Sequence, residues 1–218
     1  NDDEAQLLMD NLTQYLNLPE EAKILDLACG KGRHAIYLNT LDYDVTGADL
    51  SENSIAEASK HANDKLHFEV HDMRLPFEQK FDAIFNLFTS FGYFENDADN
   101  LTTLKAIQES LSEYGFAVID FMNVQNVIDN LVPEEIKIVD NIDFHIKRYV
   151  KDGHIFKEID FEDQGRKYHF TEKVKALTLK DFQDLMDEAG IFLLDIFGDY
   201  KLKKFHKTES ERLIMIFK

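Results

Sequence analysis

The sequence predicts an α/β protein with a doubly wound, seven-stranded, mostly parallel sheet and an antiparallel β insertion. Three observations support this prediction. Short apolar runs alternate with helical patterns through the first 121 residues, as in a parallel sheet covered by helices. The middle of the chain then switches to successive strands separated by turn residues. Finally, no helical pattern separates the last two apolar runs, which indicates a terminal antiparallel pair.

The first part of the chain is expected to begin with an amphipathic helix. Leu8, Leu12 and Tyr15 fall on one stripe at helical spacing, ahead of Pro19. Alternating elements follow, with strands predicted at residues 23–28, 43–48, 66–70, 81–87 and 116–121, and helices at 30–41, 51–62 and 97–113. We expect Gly115 to end the last of these helices, because glycine tolerates the positive φ of a helix end.

The second part of the chain contains the predicted insertion. Its four strands cover residues 136–139, 144–150, 155–161 and 168–177. Asp152-Gly153 between two of them is a strong hairpin signal. A helix at 179–189 and strands at 191–197 and 212–217 complete the chain. We therefore predict one domain, 1–132 with 178–218, and an inserted antiparallel lid at 133–177 that sits on the main sheet.

Composition narrows the class of partner. The chain has 42 acidic and 24 basic residues, a formal charge of −18, so it would repel the phosphate backbone of a nucleic acid. Cys29 is the single cysteine, which excludes an intramolecular disulfide. No run of about 18 apolar residues is present to span a bilayer. We expect a cytoplasmic protein that binds neither nucleic acid nor membrane.

Glycines and acids mark a ligand site at one edge of the predicted sheet. Gly30 and Gly32 stand where the first strand turns into a helix, so a ligand can approach the backbone there. Asp26, Asp49 and Asp72 recur at intervals of 23, each at or just beyond a strand end. Open α/β sheets bind ligands at this carboxyl edge. The stretch 30–35, GKGRHA, also satisfies the G-x-G-x-x-A pattern, which leaves an NAD(P)-dependent oxidoreductase open.

The stretch 26–32, DLACGKG, resembles the first motif of the class I S-adenosylmethionine-dependent methyltransferases, an acid followed by a glycine-rich turn. Ala28 replaces the first of the family's three usual glycines. The resemblance implies that the turn, including Cys29, Gly30 and Gly32, cradles S-adenosylmethionine as the cofactor. We expect alanine at position 28 to tighten the turn only modestly.

The same resemblance implies a role for residues after the next three strands. Asp49 would accept hydrogen bonds from both ribose hydroxyls and Leu50 would pack on the adenine. Asp72 would accept from the adenine amino group while the Met73 backbone contacts the ring, and Asn86 would lie near the methionine moiety. Asp26, Asp72 and the terminal strand pair favour a methyltransferase over the oxidoreductase. A module that binds the cofactor without transferring methyl groups stays open.

An aromatic turn after the fourth strand indicates where an acceptor binds. Phe91, Tyr93 and Phe94 are predicted to wall the acceptor pocket, because aromatic faces attract cationic groups. Tyr93 and His169 are hypothesised to remove a proton from an amine acceptor. The insertion resembles the lid of small-molecule members such as glycine and amino-sugar N-methyltransferases. We therefore predict methyl transfer by in-line displacement to the nitrogen or oxygen of a small molecule.

Two further expectations concern metals and assembly. His67 and His71 lie four residues apart on a predicted strand. An extended strand places them about 13 Å apart, too far for one ion. We expect no bound metal, and a homodimer stays open.

Overall fold

The computed structural model describes residues 2–218 and contains one sheet of seven strands and one of four. The eleven strands are β1 Lys23–Leu27, β2 Asp44–Asp49, β3 Leu66–Val70, β4 Phe81–Asn86, β5 Leu111–Met122, β6 Glu134–Val139, β7 Ile142–Lys151, β8 His154–Asp163, β9 Arg166–Lys175, β10 Leu193–Phe197 and β11 Arg212–Phe217. The α-helices are α1 Asp2–Tyr15, α2 Arg33–Thr40, α3 Glu52–Ala58, α4 Ala98–Glu109, α5 Val124–Asp129 and α6 Leu179–Ala189. The predicted fold class is confirmed.

The main sheet has the strand order β10-β11-β5-β4-β1-β2-β3. The five consecutive strands from β5 to β3 in this order pair in parallel. Strand β11 is antiparallel to both of its neighbours, β10 and β5. The carboxyl ends of β1, β2 and β4 therefore meet at one edge. This edge carries the loops on which the sequence prediction of a ligand site depends.

Helices cover both faces of the main sheet. On one face, α1 and α2 contribute Leu8, Leu12 and Leu38 to a core with β1 and β4 residues. On the other face, Leu104 of α4 and Phe182 of α6 pack against the opposite side of the sheet. Burial of apolar side chains on both faces explains why the inner strands are nearly continuous apolar runs. Among the helices of residues 2–218, none is long and apolar enough to cross a membrane.

The prediction for Gly115 is wrong. Helix α4 ends at Glu109, and Gly115 lies within β5. A Cβ atom at this position would lie 2.6 Å from the backbone oxygen of Phe81, so glycine is needed for the close approach of β4 and β5. The pairing of these strands shifts register between Phe81 and Ala83, beside this contact. The six-residue helix α5 was not predicted, because so short a segment carries little periodicity.

The insertion forms its own antiparallel sheet in the order β6-β7-β8-β9. Both residues of each of its three connecting turns, Asp140-Asn141, Asp152-Gly153 and Gln164-Gly165, have positive φ, as two-residue hairpin turns require. Ile155 and Val174 join the core of the main domain, so one end of this lid sheet packs against it. The strands run from Glu134 to Lys175, and the predicted boundaries at 133 and 177 stay a prediction.

Candidate active site

The turn between β1 and α2 is built from residues in left-handed conformations. Ala28, Gly30 and Gly32 have φ values of 65°, 55° and 81°. The Cys29 amide donates to the Ala48 oxygen at 2.9 Å, which ties the turn to β2. Ala28 is therefore the one residue of the three with a side chain in a strained conformation, which explains why glycine is usual there.

The two glycines of this turn face different surroundings. A Cβ atom on Gly32 would lie 2.6 Å from the Phe68 ring, so Gly32 is required for packing inside the protein. A Cβ atom on Gly30 would meet no atom of residues 2–218 within 4 Å, apart from its chain neighbours. Gly30 therefore borders open space at the carboxyl edge of the sheet. That space is where a ligand can contact the backbone.

Asp49 at the end of β2 connects the turn to the next loop. Its carboxylate accepts from the Gly30 amide at 2.8 Å and from the Ser51 amide at 2.9 Å. A carboxylate offers about four lone-pair positions, so acceptor capacity remains on both oxygens. The predicted ribose contact is compatible with this arrangement.

Two buried oxygens near the turn have no hydrogen-bond partner within residues 2–218. They are Asp26 Oδ2 in β1 and Asn86 Oδ1 at the end of β4. The amide of Asn86 is oriented by its donation to the Leu27 oxygen at 3.0 Å. Buried acceptors without donors are rare in folded proteins. These two therefore fit a ligand that brings hydrogen-bond donors, such as an ammonium group.

The Asp26 carboxyl group is expected to titrate near neutral pH. Burial raises its pKa to about 7, the Ala35 amide opposes this by hydrogen bonding, and the negative charge of Asp49 adds to the rise. A folded-state pKa above the ordinary value of 3.8 means that the folded protein binds the proton more tightly than the unfolded chain. This contribution to stability is present below about pH 4 and is lost as the pH rises through 7.

We predict that Asp26→Asn removes the loss of stability that release of the Asp26 proton imposes on the ligand-free parent as the pH rises toward 7. The free energy of unfolding of the parent should fall relative to that of the variant between about pH 4.5 and 7.5, because only the parent loses the Asp26 proton. Urea unfolding at several pH values measures the difference between the two proteins. That comparison removes the background from the other carboxylates, and a constant difference across this range would contradict the assignment.

The loops after β2 and β3 form a cleft beside Asp49. Its walls are Leu27, Ala28, Ala48, Asp49, Leu50, His71, Asp72, Met73 and Phe94. Leu50 is 69% exposed, so its side chain is free to pack on a flat ring. The Asp72 carboxylate is held by the Arg74 guanidinium at 2.6 Å, which keeps the pKa of that carboxyl below its usual value. Met73 packs partly into the core. The residues predicted to contact the adenine thus line one cleft, and the contacts themselves stay a prediction.

Cys29 is unsuited to nucleophilic chemistry. Its side chain is buried, and its Sγ lies 3.5 Å from the Gly30 oxygen. Burial raises the pKa of the thiol, and the charges of Asp26 and Asp49 raise it further. The thiolate is the reactive form, so this cysteine stays unreactive near neutral pH.

One of the three aromatic residues predicted to wall the acceptor pocket lies in the core instead. Phe91 is fully buried and packs on Phe182, with ring centroids 5.6 Å apart, so it belongs to the core. Phe94 lies under the Arg74 guanidinium and lines the cleft beside Leu50. Tyr93 is half exposed, and an acceptor contact by Tyr93 or Phe94 stays a prediction. The sequence did not separate these three residues, because burial within an irregular loop follows no period.

The structure does not bring the two proposed proton acceptors together. His169 lies on β9, bonded to Asp160 at 2.7 Å, and is half exposed. Val174, five residues along β9, packs beside Gly92, which places His169 about 16 Å away along the strand. Tyr93 follows Gly92 directly. Burial and the nearby Glu172 raise the pKa of its hydroxyl, which makes Tyr93 a hydrogen-bonding group and not a base near neutral pH.

The sequence prediction missed an ion pair behind the loop that follows β4. Asp120 of β5 is fully buried and accepts from Arg212 Nε of β11 at 2.8 Å. The signal that was overlooked is an acid within the apolar run AVIDFM at 117–122. A charged residue in a central strand is rare unless it is paired.

Comparison with known proteins identifies the family. A family model described as a methyltransferase domain matches residues 24–115, which contain the turn, Asp49, Asp72 and Asn86. A solved S-adenosylmethionine-dependent methyltransferase from Clostridium acetobutylicum superposes on the whole chain with a TM-score of 0.86 at 21% identity, over 92% of its own length. Residues 24–115 therefore belong to a methyltransferase domain family, and the chain as a whole has the fold of a solved S-adenosylmethionine-dependent methyltransferase.

Two relatives show how far the similarity of this methyltransferase extends. A glycine/sarcosine N-methyltransferase from Aphanothece halophytica is 24% identical over 205 residues, which cover 90% of this chain and 76% of that protein. YqeM of Bacillus subtilis is 34% identical over 117 residues, 51% of this chain and 47% of that protein. The chain thus spans about half of one relative and three quarters of the other. The cofactor of the family is S-adenosylmethionine, and the nicotinamide alternative has no support among these relatives.

The side chains present fit this cofactor. The unpartnered oxygens Asp26 Oδ2 and Asn86 Oδ1 would accept from its ammonium group. Asp49 would hold the ribose hydroxyls, and the cleft beside Leu50 would receive the adenine. These assignments are proposals for the individual residues.

We predict that Gly30→Ala weakens S-adenosylhomocysteine binding about tenfold or more, because the new methyl group occupies the space that the backbone leaves for the ligand. Its effect on stability should match that of Gly165→Ala. That control residue also has a positive φ, 75°, and also has no atom within 4 Å of its Cβ position, but it lies in a hairpin turn of the lid. Calorimetry and urea unfolding measure both effects. Unchanged affinity of Gly30→Ala would contradict the placement of the ligand.

Proposed function

We propose that this protein transfers a methyl group from S-adenosylmethionine to the amine nitrogen of a small molecule. The observation that carries the proposal is that Tyr93, next to Phe94 of the cleft beside Asp49, lies close enough to Glu172 of the lid sheet for the Glu172 charge to raise the pKa of its hydroxyl. The similarity to a glycine/sarcosine N-methyltransferase, which extends over 90% of this chain and 76% of that protein, supports an amine acceptor. An oxygen acceptor has no comparable support.

The lid presents one face to the carboxyl edge of the main sheet. We call this the inner lid face. Val174 of this face packs within 3.4 Å of the Cβ position of Gly92, and the Lys175 amide donates to the Gly92 oxygen at 2.8 Å. Side chains alternate along a strand, so Glu172 lies on the same face as Val174. Lys157 is its cross-strand neighbour, with Nζ 3.3 Å from the Glu172 carboxylate.

Glu172 and Tyr93 are suited to bind an amine. The Glu172 side chain is 53% exposed, so its carboxylate retains access to solvent and to an incoming cation. The Tyr93 hydroxyl stays neutral and can accept a hydrogen bond from a neutral amine. Arg212 contributes a positive charge near Tyr93. The acceptor would therefore sit between the lid and the loop after β4.

When bound, the cofactor supplies a methyl group that its sulfonium has already activated, so the protein mainly aligns the acceptor and excludes water. Such alignment can lower a barrier by about 7 to 11 kcal/mol. Tyr93 would orient the nitrogen lone pair, and Glu172 or solvent would take the proton that the amine releases. A strong base is not required. The products are the methylated amine and S-adenosylhomocysteine.

The experiment measures S-adenosylhomocysteine formation by the purified protein with glycine, sarcosine, glucosamine and the oxygen acceptor catechol. We expect product with at least one amine and none with catechol.

Asp49→Ala should weaken S-adenosylhomocysteine binding by about 10- to 100-fold, because hydrogen bonds to a charged group are worth about 1.5 to 3 kcal/mol. Asp44→Ala on the same strand, at the opposite end, is the control. Methylation of catechol alone would refute the proposed acceptor class.

A further inference from the structure

The loop that follows β4 contains two successive non-glycine residues in the left-handed region. Phe88 and Thr89 both have φ values of 58°. Residues with a Cβ rarely adopt this conformation, and for a β-branched residue such as Thr89 it is an outlier. Strain of this kind persists only where neighbouring groups enforce it, and it clusters at active sites. The loop begins two residues after Asn86, at the edge that holds the cofactor turn.

Asp120 and Arg212 enforce this conformation through four hydrogen bonds. The Phe88 amide donates to Asp120 Oδ2 at 2.8 Å, and the Thr89 amide donates to the Asp120 backbone oxygen at 3.0 Å. Arg212 Nη2 donates to Thr89 Oγ1 at 3.0 Å, and Arg212 Nε donates to Asp120 Oδ1 at 2.8 Å. Three of these four bonds end on the strained loop. We call this set of contacts the clamp.

The position of the clamp in the sheet makes it rigid. Asp120 lies on β5, between β4 and β11, and its pairing partner on β11 is Ile214. Asp120 is fully buried, and the Arg212 side chain is 19% exposed. Charge-assisted hydrogen bonds away from water are short and strongly directional. The loop is thus held by groups that the central sheet itself positions.

The clamp also sets the position of an aromatic side chain against the cofactor turn. The Phe88 ring packs on the His34 ring at 4.5 Å, and His34 lies in the first turn of α2, two residues after Gly32. Tyr200 closes the other side, with its ring 5.8 Å from Phe88 and 5.6 Å from the Arg212 guanidinium. Phe88 therefore connects the loop after β4 to the glycine turn.

We propose that Asp120 and Arg212 are positioning residues for methyl transfer, which hold Phe88 and Thr89 in left-handed conformations and thereby fix the loop beside the cofactor. This inference rests on the proposed function for its role in catalysis. A purely structural ion pair would stabilise the sheet without controlling the loop. If the clamp controls the loop, removing one of its contacts should increase loop opening and weaken cofactor binding together. Both effects should exceed those of a core substitution that only lowers stability.

The test compares Arg212→Met with Ile216→Ala in the complete protein. Ile216 is a buried core residue on the same strand, four positions away, so its truncation lowers stability without touching the loop. Hydrogen exchange of the Phe88 and Thr89 amides and calorimetry with S-adenosylhomocysteine are the two measurements. For Arg212→Met we expect about tenfold faster exchange at both amides and about fivefold weaker binding than for the control.

A milder variant covers the case in which Arg212→Met does not fold. Thr89→Val keeps the shape of the side chain and removes only the bond from Arg212 Nη2. We expect faster exchange at the Phe88 and Thr89 amides and weaker S-adenosylhomocysteine binding in this variant too, with unfolding close to that of the parent. Adding Thr89→Gly to Arg212→Met should restore part of the affinity, because glycine adopts the required φ without strain.

The outcomes separate this inference from the proposed function. Exchange and affinity of Arg212→Met and Thr89→Val that match those of Ile216→Ala would overturn the clamp, whatever the acceptor is. If the parent binds S-adenosylhomocysteine but methylates no amine, the proposed acceptor class fails. Hydrogen exchange and calorimetry of the variants would still show whether Asp120 and Arg212 hold the loop.

Discussion

Replacing Arg212 by methionine is expected to lower the free energy of unfolding by about 3 to 5 kcal/mol, the range for removing one partner of a buried ion pair. The physical reason is that Asp120 is fully buried and its pKa is already raised by burial, so without Arg212 it must either hold an unpaired charge or take up a proton. The Phe88 amide and Arg212 Nε are the two donors that reach its carboxylate oxygens. Urea unfolding of the parent and of the variant, at neutral pH, measures the effect.

The double variant Asp120→Asn with Arg212→Met tests the cause of this loss. Asparagine retains an oxygen that can accept from the Phe88 amide and carries no charge, so no unpaired ion remains in the core. We expect the double variant to be more stable than Arg212→Met alone. A double variant that is equally or less stable would show that the loss comes from packing and not from an unpaired Asp120 charge.

Replacing Gly32 by alanine is the second large effect that we expect. A left-handed alanine costs about 1 to 2 kcal/mol, and overpacking of a core adds about 1 to 3 kcal/mol, a total of about 2 to 5 kcal/mol. The new Cβ would lie 2.6 Å from Phe68 Cε1 and 3.0 Å from the Cβ of Ala58. The Phe68 ring cannot move away toward β2, because it already fills the space beside Gly47, at 2.7 Å from that Cβ position.

Gly165→Ala is the matched control for this prediction as well. Gly165 has nearly the same φ, 75° against 81°, and nothing near its Cβ position, so it isolates the cost of the backbone conformation. Free energies of unfolding from urea titrations give the comparison. Adding Phe68→Leu to Gly32→Ala should recover part of the loss, since a smaller side chain relieves the contact. Equal losses for Gly32→Ala and Gly165→Ala would contradict the role given to Phe68.

Local patterns were sufficient to predict the architecture and the ligand edge, and the resemblance of the glycine turn to a known family implied the cofactor. Alternating apolar runs indicated the parallel sheet, and Asp152-Gly153 indicated a hairpin, because both are properties of short segments. The turn with Gly30 and Gly32, followed by Asp49 and Asp72 at equal intervals, indicated one ligand edge, since parallel strands bring their carboxyl ends together. The family match over 24–115 falls on these residues.

Residues that depend on contacts between distant segments were not predictable in this way. Phe91 and Phe94 belong to the same aromatic turn in sequence as Tyr93, yet one is in the core and the other lines the cofactor cleft. His169 lies on the lid, and only the register of β8 and β9 shows that it pairs with Asp160. In each case the chain path through a loop or a sheet determines which side chains meet.

The sequence by itself determined the fold class, the glycine turn and the three acids that follow the strands of this methyltransferase, because periodicity and turn chemistry are encoded within a few residues. Only the tertiary structure showed that Gly32 makes room for Phe68, and that Asp120 and Arg212 hold the loop after β4. Those contacts join residues 36 and 92 positions apart, and such pairing becomes visible only when the strands are placed side by side.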